Sequence, residues 1–143
     1  MLFHVLDDDG YERAFAALRD LLEDGGVLVF SENFLRHGEL RVPHQRSREY
    51  ARIAAVVRAA GFEIVRKRPL FWLMNAPHDS RSRLHALWWR GLAGVAARSD
   101  RAGALLGAAL YWPELLATRL LRDGPSTELM ICTLRSGAAW QEP

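Results

Sequence analysis

Apolar residues in this chain follow two periods, and the change from one to the other marks its elements. From Tyr11 onward, Ala14, Phe15, Leu18, Leu21 and Leu22 recur at helical spacing, with Glu12, Arg13, Arg19 and Asp20 on the opposite face. The preceding Asp7-Asp8-Asp9-Gly10 offers carboxylates that cap a helix and favour its positive end. Gly25-Gly26 ends this helix. VLVF (27–30) is then an apolar run without alternation, the pattern of a strand covered on both faces. Residues 33–45 read as a polar loop containing Gly38 and Pro43. A second amphipathic helix is predicted over 46–60, with Tyr50, Ile53, Ala54 and Val57 inward and Gly61 as its stop. FEIVRKR (62–68) reads as a strand. Residues 80–122 are helical twice over, with a break near Ser99-Asp100. The turn DGPS (123–126) leads into a last strand, TELMICTLR (127–135). No internal repeat is present.

Helices alternating with continuously apolar strands predict a three-layer α/β sandwich whose early strands are parallel. In such sheets ligands bind beyond the carboxyl ends of the strands. Ser31, Glu32 and Asn33 close the VLVF strand, so this position makes them candidates for the chemistry. The alternative is that they simply begin a solvated loop.

Composition narrows the function classes. With 143 residues, half of them hydrophobic and a quarter charged, the chain suits one domain with a real core. A single cysteine, Cys132, excludes an internal disulfide and a cysteine-based zinc cluster. The net charge of +2 is too small to argue for nucleic acid. Lys67 is the only lysine; the other basic residues are arginines. The five histidines (His4, His37, His44, His78, His85) show no ligand spacing with carboxylates, so no metal is expected. MLFHVLDDDG lacks the basic start and long apolar core of a signal peptide. The most apolar stretch, 102–121, contains Pro113, Glu114 and Arg119, so stable membrane insertion is not expected. The expected setting is cytoplasmic.

The run FHVLDDDGYERAFAALRDLLEDGGVLVFSENF, followed by AGFEIVRKRP and GPSTELMICTLR, closely resembles the second half of a class I S-adenosylmethionine-dependent methyltransferase. In that family strand four ends in a short apolar-His segment. A helix then precedes an L-x-x-G-G turn into strand five, whose tip is polar. The resemblance covers residues 1–135. It implies a partial Rossmann-like sheet of strands four to seven, the last antiparallel and inserted between five and six. It also implies a domain over 1–136 with a lid-like two-helix insertion at about 79–122, before the final strand, and a loose tail at 137–143. One departure is large. The family's cofactor pocket uses a glycine-rich loop after strand one and an acidic residue ending strand two. These residues hold no G-x-G in a strand-turn-helix context. The chain is therefore expected to behave as the carboxyl-terminal half of the domain, beginning in mid-sheet. On that expectation S-adenosyl-L-methionine is the cofactor, with its main binding loop missing. Strand four becomes an edge, and self-association or pairing with a complementary chain follows.

The resemblance also assigns residues. Leu2, Phe3 and His4 fall where the family holds the cofactor's methionyl part. His4 is a candidate general base, against the alternative of a histidine bonded to backbone at a strand end. Ser31, Glu32 and Asn33 face the substrate, with Glu32 a second weak candidate for proton transfer. His44, in a loop before a helix, is a further substrate candidate or a solvated loop histidine. Asn75 before Ala-Pro suits a turn. Residues 81–101 mix Arg81, Arg83, Arg90, Arg98 and Arg101 with Trp88 and Trp89. Nucleic-acid stacking and an interfacial membrane helix are the sharp readings. An ordinary amphipathic helix, built on Leu84, Leu87, Leu92 and Val95, is the simpler one, and nucleic acid is not expected as a partner.

Two functions stay open: methyl transfer from S-adenosylmethionine to a small-molecule acceptor, and a non-catalytic α/β module that binds a partner chain.

Overall fold

The structure, a computed structural model, describes residues 2–135. Met1 and the expected tail at 137–143 lie outside the described residues. In chain order come α1 (Asp8–Asp20), β1 (Val27–Glu32), β2 (Leu40–Val42), β3 (Gln45–Ser47), α2 (Tyr50–Ala59), β4 (Phe62–Pro69), α3 (Arg83–Ala96), α4 (Asp100–Leu120) and β5 (Glu128–Leu134). The class is α/β, with two helices before the final strand. The chain divides into two compact units, one made of residues up to Lys67 with those from Leu129 onward, the other of Arg68–Glu128.

Local chemistry sets the element ends. The carboxylate of Asp7 accepts a 2.5 Å hydrogen bond from the Gly10 amide and caps α1. Gly61, at φ +93°, turns the chain out of α2 in a conformation that a side chain would strain. Ser82 and Ser99 cap α3 and α4 through the amides of His85 and Ala102, so the break predicted at Ser99-Asp100 is a capping serine.

The main sheet has the order β1-β5-β4, and a second sheet pairs β2 with β3. The amide of Leu134 donates to the carbonyl of Gly26 and that of Arg135 to Gly61. The end of β5 therefore meets the starts of β1 and β4, and the last strand runs antiparallel to both. The parallel early strands expected from the sequence are not neighbours, because β5 separates them. Nor do the described residues form a strand four at the amino-terminal end. Leu2–His4 form a single 3-10 turn, closed by the Val5 amide on the Leu2 carbonyl at 2.9 Å. An extended segment needs a partner strand to satisfy its backbone groups, and this one closes on itself instead.

The core of the first unit joins Tyr11 and Phe15 of α1, Leu28 of β1, Ile53, Val56 and Val57 of α2, Phe62 of β4, and Met130 and Cys132 of β5. Burial pushes the Cys132 thiol up to about 11, which marks it as an inert core side chain. Both helices thus cover one face of the sheet. On the other face Val27 is 55% exposed and Val29 52%. The expectation of a strand covered on both faces is corrected here. An unbroken apolar run reports what a strand can bury, while α1 and α2 reach only alternate residues.

In the second unit, Glu114 is a buried carboxylate with a defined task. It accepts the backbone amides of Trp72, Leu73 (2.7 Å) and Met74 (2.9 Å), holding that turn on α4. Asn75 is a turn residue as its position predicts, its Oδ1 accepting from the Ala76 amide at 2.8 Å. Glu114→Gln puts an amide donor among three donors and is expected to cost about 2 kcal/mol. Urea unfolding checks this; a loss near zero would mean that the turn is held by other contacts.

Candidate functional site

The tip of β1 gathers the polar side chains of the first unit. Period-two alternation puts Leu28, Phe30 and Glu32 on the core side, so Glu32 enters the protein at the end of the apolar row. Its side chain has no solvent exposure. Tyr11, from the first turns of α1, donates its hydroxyl hydrogen to Glu32 Oε2 at 2.6 Å.

Arg48 comes from the other side. The Leu35 amide donates to the Arg48 carbonyl at 3.2 Å and the Tyr50 amide to the Leu35 carbonyl at 2.8 Å, so the segment after β1 clamps the entrance to α2. The Arg48 side chain is fully buried. Its Nε donates to Asp8 Oδ1 at 3.2 Å, and Nη2 donates to the carbonyls of Val5 (2.9 Å) and Asp7 (3.1 Å). The guanidinium carbon stands 4.0 Å from the centre of the Tyr11 ring, a cation–π contact. Arg46 also bonds Asp8, as well as Glu39 and the Leu6 carbonyl. Two buried polar atoms here have no hydrogen-bond partner, Glu32 Oε1 and Arg48 Nη1.

These contacts set the charges. Burial raises the Glu32 carboxyl to about 7, against the opposing pull of the Tyr11 hydrogen bond and the Arg48 charge. The Tyr11 hydroxyl is pushed well up by burial and by the neighbouring carboxylate. At Asp8 partial burial pushes upward, but the hydrogen bonds and charges of Arg48 and Arg46 outweigh it and hold the carboxyl below its usual range. The cluster therefore contains one carboxyl poised near neutrality beside one held ionised.

The other sequence-predicted residues are distributed around this cluster. His4 and His44, forty positions apart, are brought together: His4 Nδ1 lies 2.7 Å from the His44 carbonyl oxygen, and the rings stack with centroids 6.4 Å apart. Both are exposed. Phe3 packs against the His4 ring and Leu2 against the core. Asn33 is buried and donates to Ser47 Oγ at 3.2 Å, which ties the end of β1 to β3. Ser31 is half-buried on the face opposite Glu32.

Sequence reasoning missed Tyr11, Asp8, Arg46, Ser47 and Arg48. It read 33–45 as loop and began the helix at 46, where the structure has a hairpin with Leu40 opposite Ser47 and Val42 opposite Gln45. The available signal was LRV-PH-QRS, two short strands about a two-residue turn. In that reading Arg46 and Arg48 share a face by strand alternation.

Among the described residues no group of three or more His, Cys, Asp or Glu side chains forms a metal-ligand set. Comparison of the chain with protein-family models and with curated proteins found no match.

Proposed function

We propose that the chain carries the second half of a class I methyltransferase domain, acting on a small-molecule acceptor with S-adenosylmethionine as methyl donor. The observation that supports this best is the strand order. The last strand of the chain lies between the two before it and runs opposite to both, which is the arrangement the sequence resemblance implies for strands five, seven and six. The open sheet face at Val27 and Val29 agrees with an incomplete domain.

The residues present do not by themselves build the donor pocket. A backbone cradle needs glycines at a strand-to-helix turn, and the positive-φ glycines here, Gly25, Gly38 and Gly61, stand at none. The donor's sulfonium arrives already activated, so a protein of this class supplies alignment and, where needed, proton removal. This chain's own contribution is Glu32, a carboxyl near neutrality with Oε1 unpaired, held in position by the Tyr11 hydroxyl and influenced by the charge of Arg48. A cytoplasmic setting belongs to the same proposal.

A second reading has its own support. The exposed Val27 and Val29, together with Val65, form an apolar sheet face suited to a partner chain. Calorimetric titration with S-adenosylhomocysteine separates the two, using these 143 residues alone and the same residues joined to whatever their gene encodes ahead of them in frame. The expected result is no saturation for the first and micromolar binding for the second. No binding by the joined protein, or a stop codon directly upstream, moves the assignment to the partner-binding module. Micromolar binding by these residues alone overturns the incomplete pocket.

A further inference from the structure

α3 and α4 are apolar on two sides. Inward, Gly103 packs on Ala96, and Met74, Trp89, Leu92 and Leu110 are among the residues lining a cavity of about 170 Å³ between the helices. Outward, α3 carries Leu84, Leu87, Trp88 and Val95 at spacings of three, four and seven, one continuous stripe. α4 carries Leu105, Trp112, Leu116 and Leu120 at spacings that again keep one face, with Tyr111 beside them. All nine are between 38% and 78% exposed. A helix apolar on both sides is ordinarily buried, and among the described residues nothing covers these stripes.

The charges beside them are of one sign. Residues 83–120 contain five arginines, Arg83, Arg90, Arg98, Arg101 and Arg119, all exposed. The acids are Asp100, at the start of α4, and Glu114, which is buried and occupied by the 72–74 amides. At about 100° per residue, Arg83 and Arg90 fall beside the stripe of α3, and Arg101 and Arg119 beside that of α4. Exposed leucines with tryptophan and tyrosine among them, rimmed by arginine, match the interfacial layer of a bilayer. There the apolar side chains enter the acyl boundary, indole and phenol rings sit at headgroup depth, and guanidinium groups meet lipid phosphates. No described helix is long and apolar enough to cross a membrane, so these helices would lie along the surface.

We infer that the α3–α4 hairpin is a docking surface for an anionic lipid bilayer, seated through the Leu84–Leu87–Trp88–Val95 and Leu105–Trp112–Leu116–Leu120 stripes with Arg83, Arg90, Arg101 and Arg119 on the headgroups. This holds whichever reading of the first unit is right, since it uses none of that unit's residues.

The test is co-sedimentation of the full chain with vesicles of phosphatidylcholine alone and of phosphatidylcholine mixed with phosphatidylglycerol. Partitioning is expected to be at least about tenfold stronger on the anionic vesicles and to weaken as salt is raised. Leu84→Glu with Leu87→Glu, both on exposed positions, is expected to lower it about tenfold or more on the anionic vesicles. Arg83→Glu with Arg90→Glu is expected to remove the preference for anionic lipid. Circular dichroism of both variants must match the parent, and sedimentation equilibrium of the parent reports self-association. No pelleting with either vesicle overturns the inference, as does unchanged pelleting of both double variants. A dimer that Leu84→Glu with Leu87→Glu dissolves, in a chain that ignores vesicles, assigns the stripes to a second copy instead.

Discussion

Arg48→Met is expected to destabilise the chain by about 2–3 kcal/mol, through the lost hydrogen bonds of a buried guanidinium. The exchange keeps much of the side-chain volume, so cavity formation contributes little. What is lost is the guanidinium, with its bonds to the carbonyls of Val5 and Asp7 and to Asp8 Oδ1. Methionine offers these part-buried carbonyls no donor; Asp7 keeps the Tyr11 amide at 3.2 Å, while the Val5 carbonyl loses the guanidinium, at a cost of about 1–3 kcal/mol. Asp8 suffers less, because its side chain is 40% exposed and keeps Arg46 at 2.9 Å. The Tyr11 ring also loses its cation, and Glu32 loses the positive charge that opposes its burial. Arg48→Lys is expected to recover only part of the loss, because one ammonium cannot reproduce the fork that reaches Asp8 and two carbonyls together. Urea unfolding at pH 7 measures both variants. A loss below about 1 kcal/mol for the methionine variant would show that water replaces the guanidinium and that Arg48 does not hold the Val5–Asp8 segment in place.

The same residue shows how far the sequence could be read. Every long element was visible, because α1, α2 and the α3–α4 pair each carry an apolar period that local spacing alone reveals. The break at Ser99 and the turn at Asn75 were legible from capping and turn chemistry. What failed depended on partners far away in the chain. The hairpin of β2 and β3 buries no apolar side chain, so it leaves no apolar alternation to find, and Arg46 and Arg48 fell inside the stretch predicted as helix from residue 46. Leu2–His4 looked like a strand end, since an apolar run does not say whether a neighbouring strand exists. VLVF looked buried on both sides for the same reason, yet Val27 and Val29 face outward. Of the candidate residues, Glu32 was reachable through its place at a strand tip. Its partners were not: Tyr11 is 21 positions away, and Arg48 belongs to the misread helix start.

Glu32 also gives the chain an expected pH signature. In the unfolded state its carboxyl has an ordinary value near 4.5, and burial raises it to about 7 in the folded state. Between those values the folded protein holds this proton and the unfolded chain has released it. Unfolding therefore liberates a proton, and rising pH favours it. The contribution to stability is complete below about pH 4.5 and is lost as pH climbs through 7, by about 1.4 kcal/mol per unit and about 3 kcal/mol in all. Two other groups act in the opposite sense. His78 is lowered by burial, so its contribution fails as pH falls through the histidine range. Asp8, held down by Arg48 and Arg46, loses its contribution only at lower pH still. The observable is therefore the difference between the parent and Glu32→Gln. The glutamine keeps an acceptor for the Tyr11 hydroxyl and has no proton to lose, so its stability curve should lack the Glu32 slope. The variant should gain on the parent by about 3 kcal/mol between pH 4.5 and 7.5. Parallel curves for the two proteins would mean that Glu32 ionises at an ordinary value in the folded chain. The end of β1 would then hold a permanent carboxylate, and a carboxylate already ionised at pH 7 has no proton to give up there. The case for Glu32 as the site's proton-handling group stands or falls with that slope.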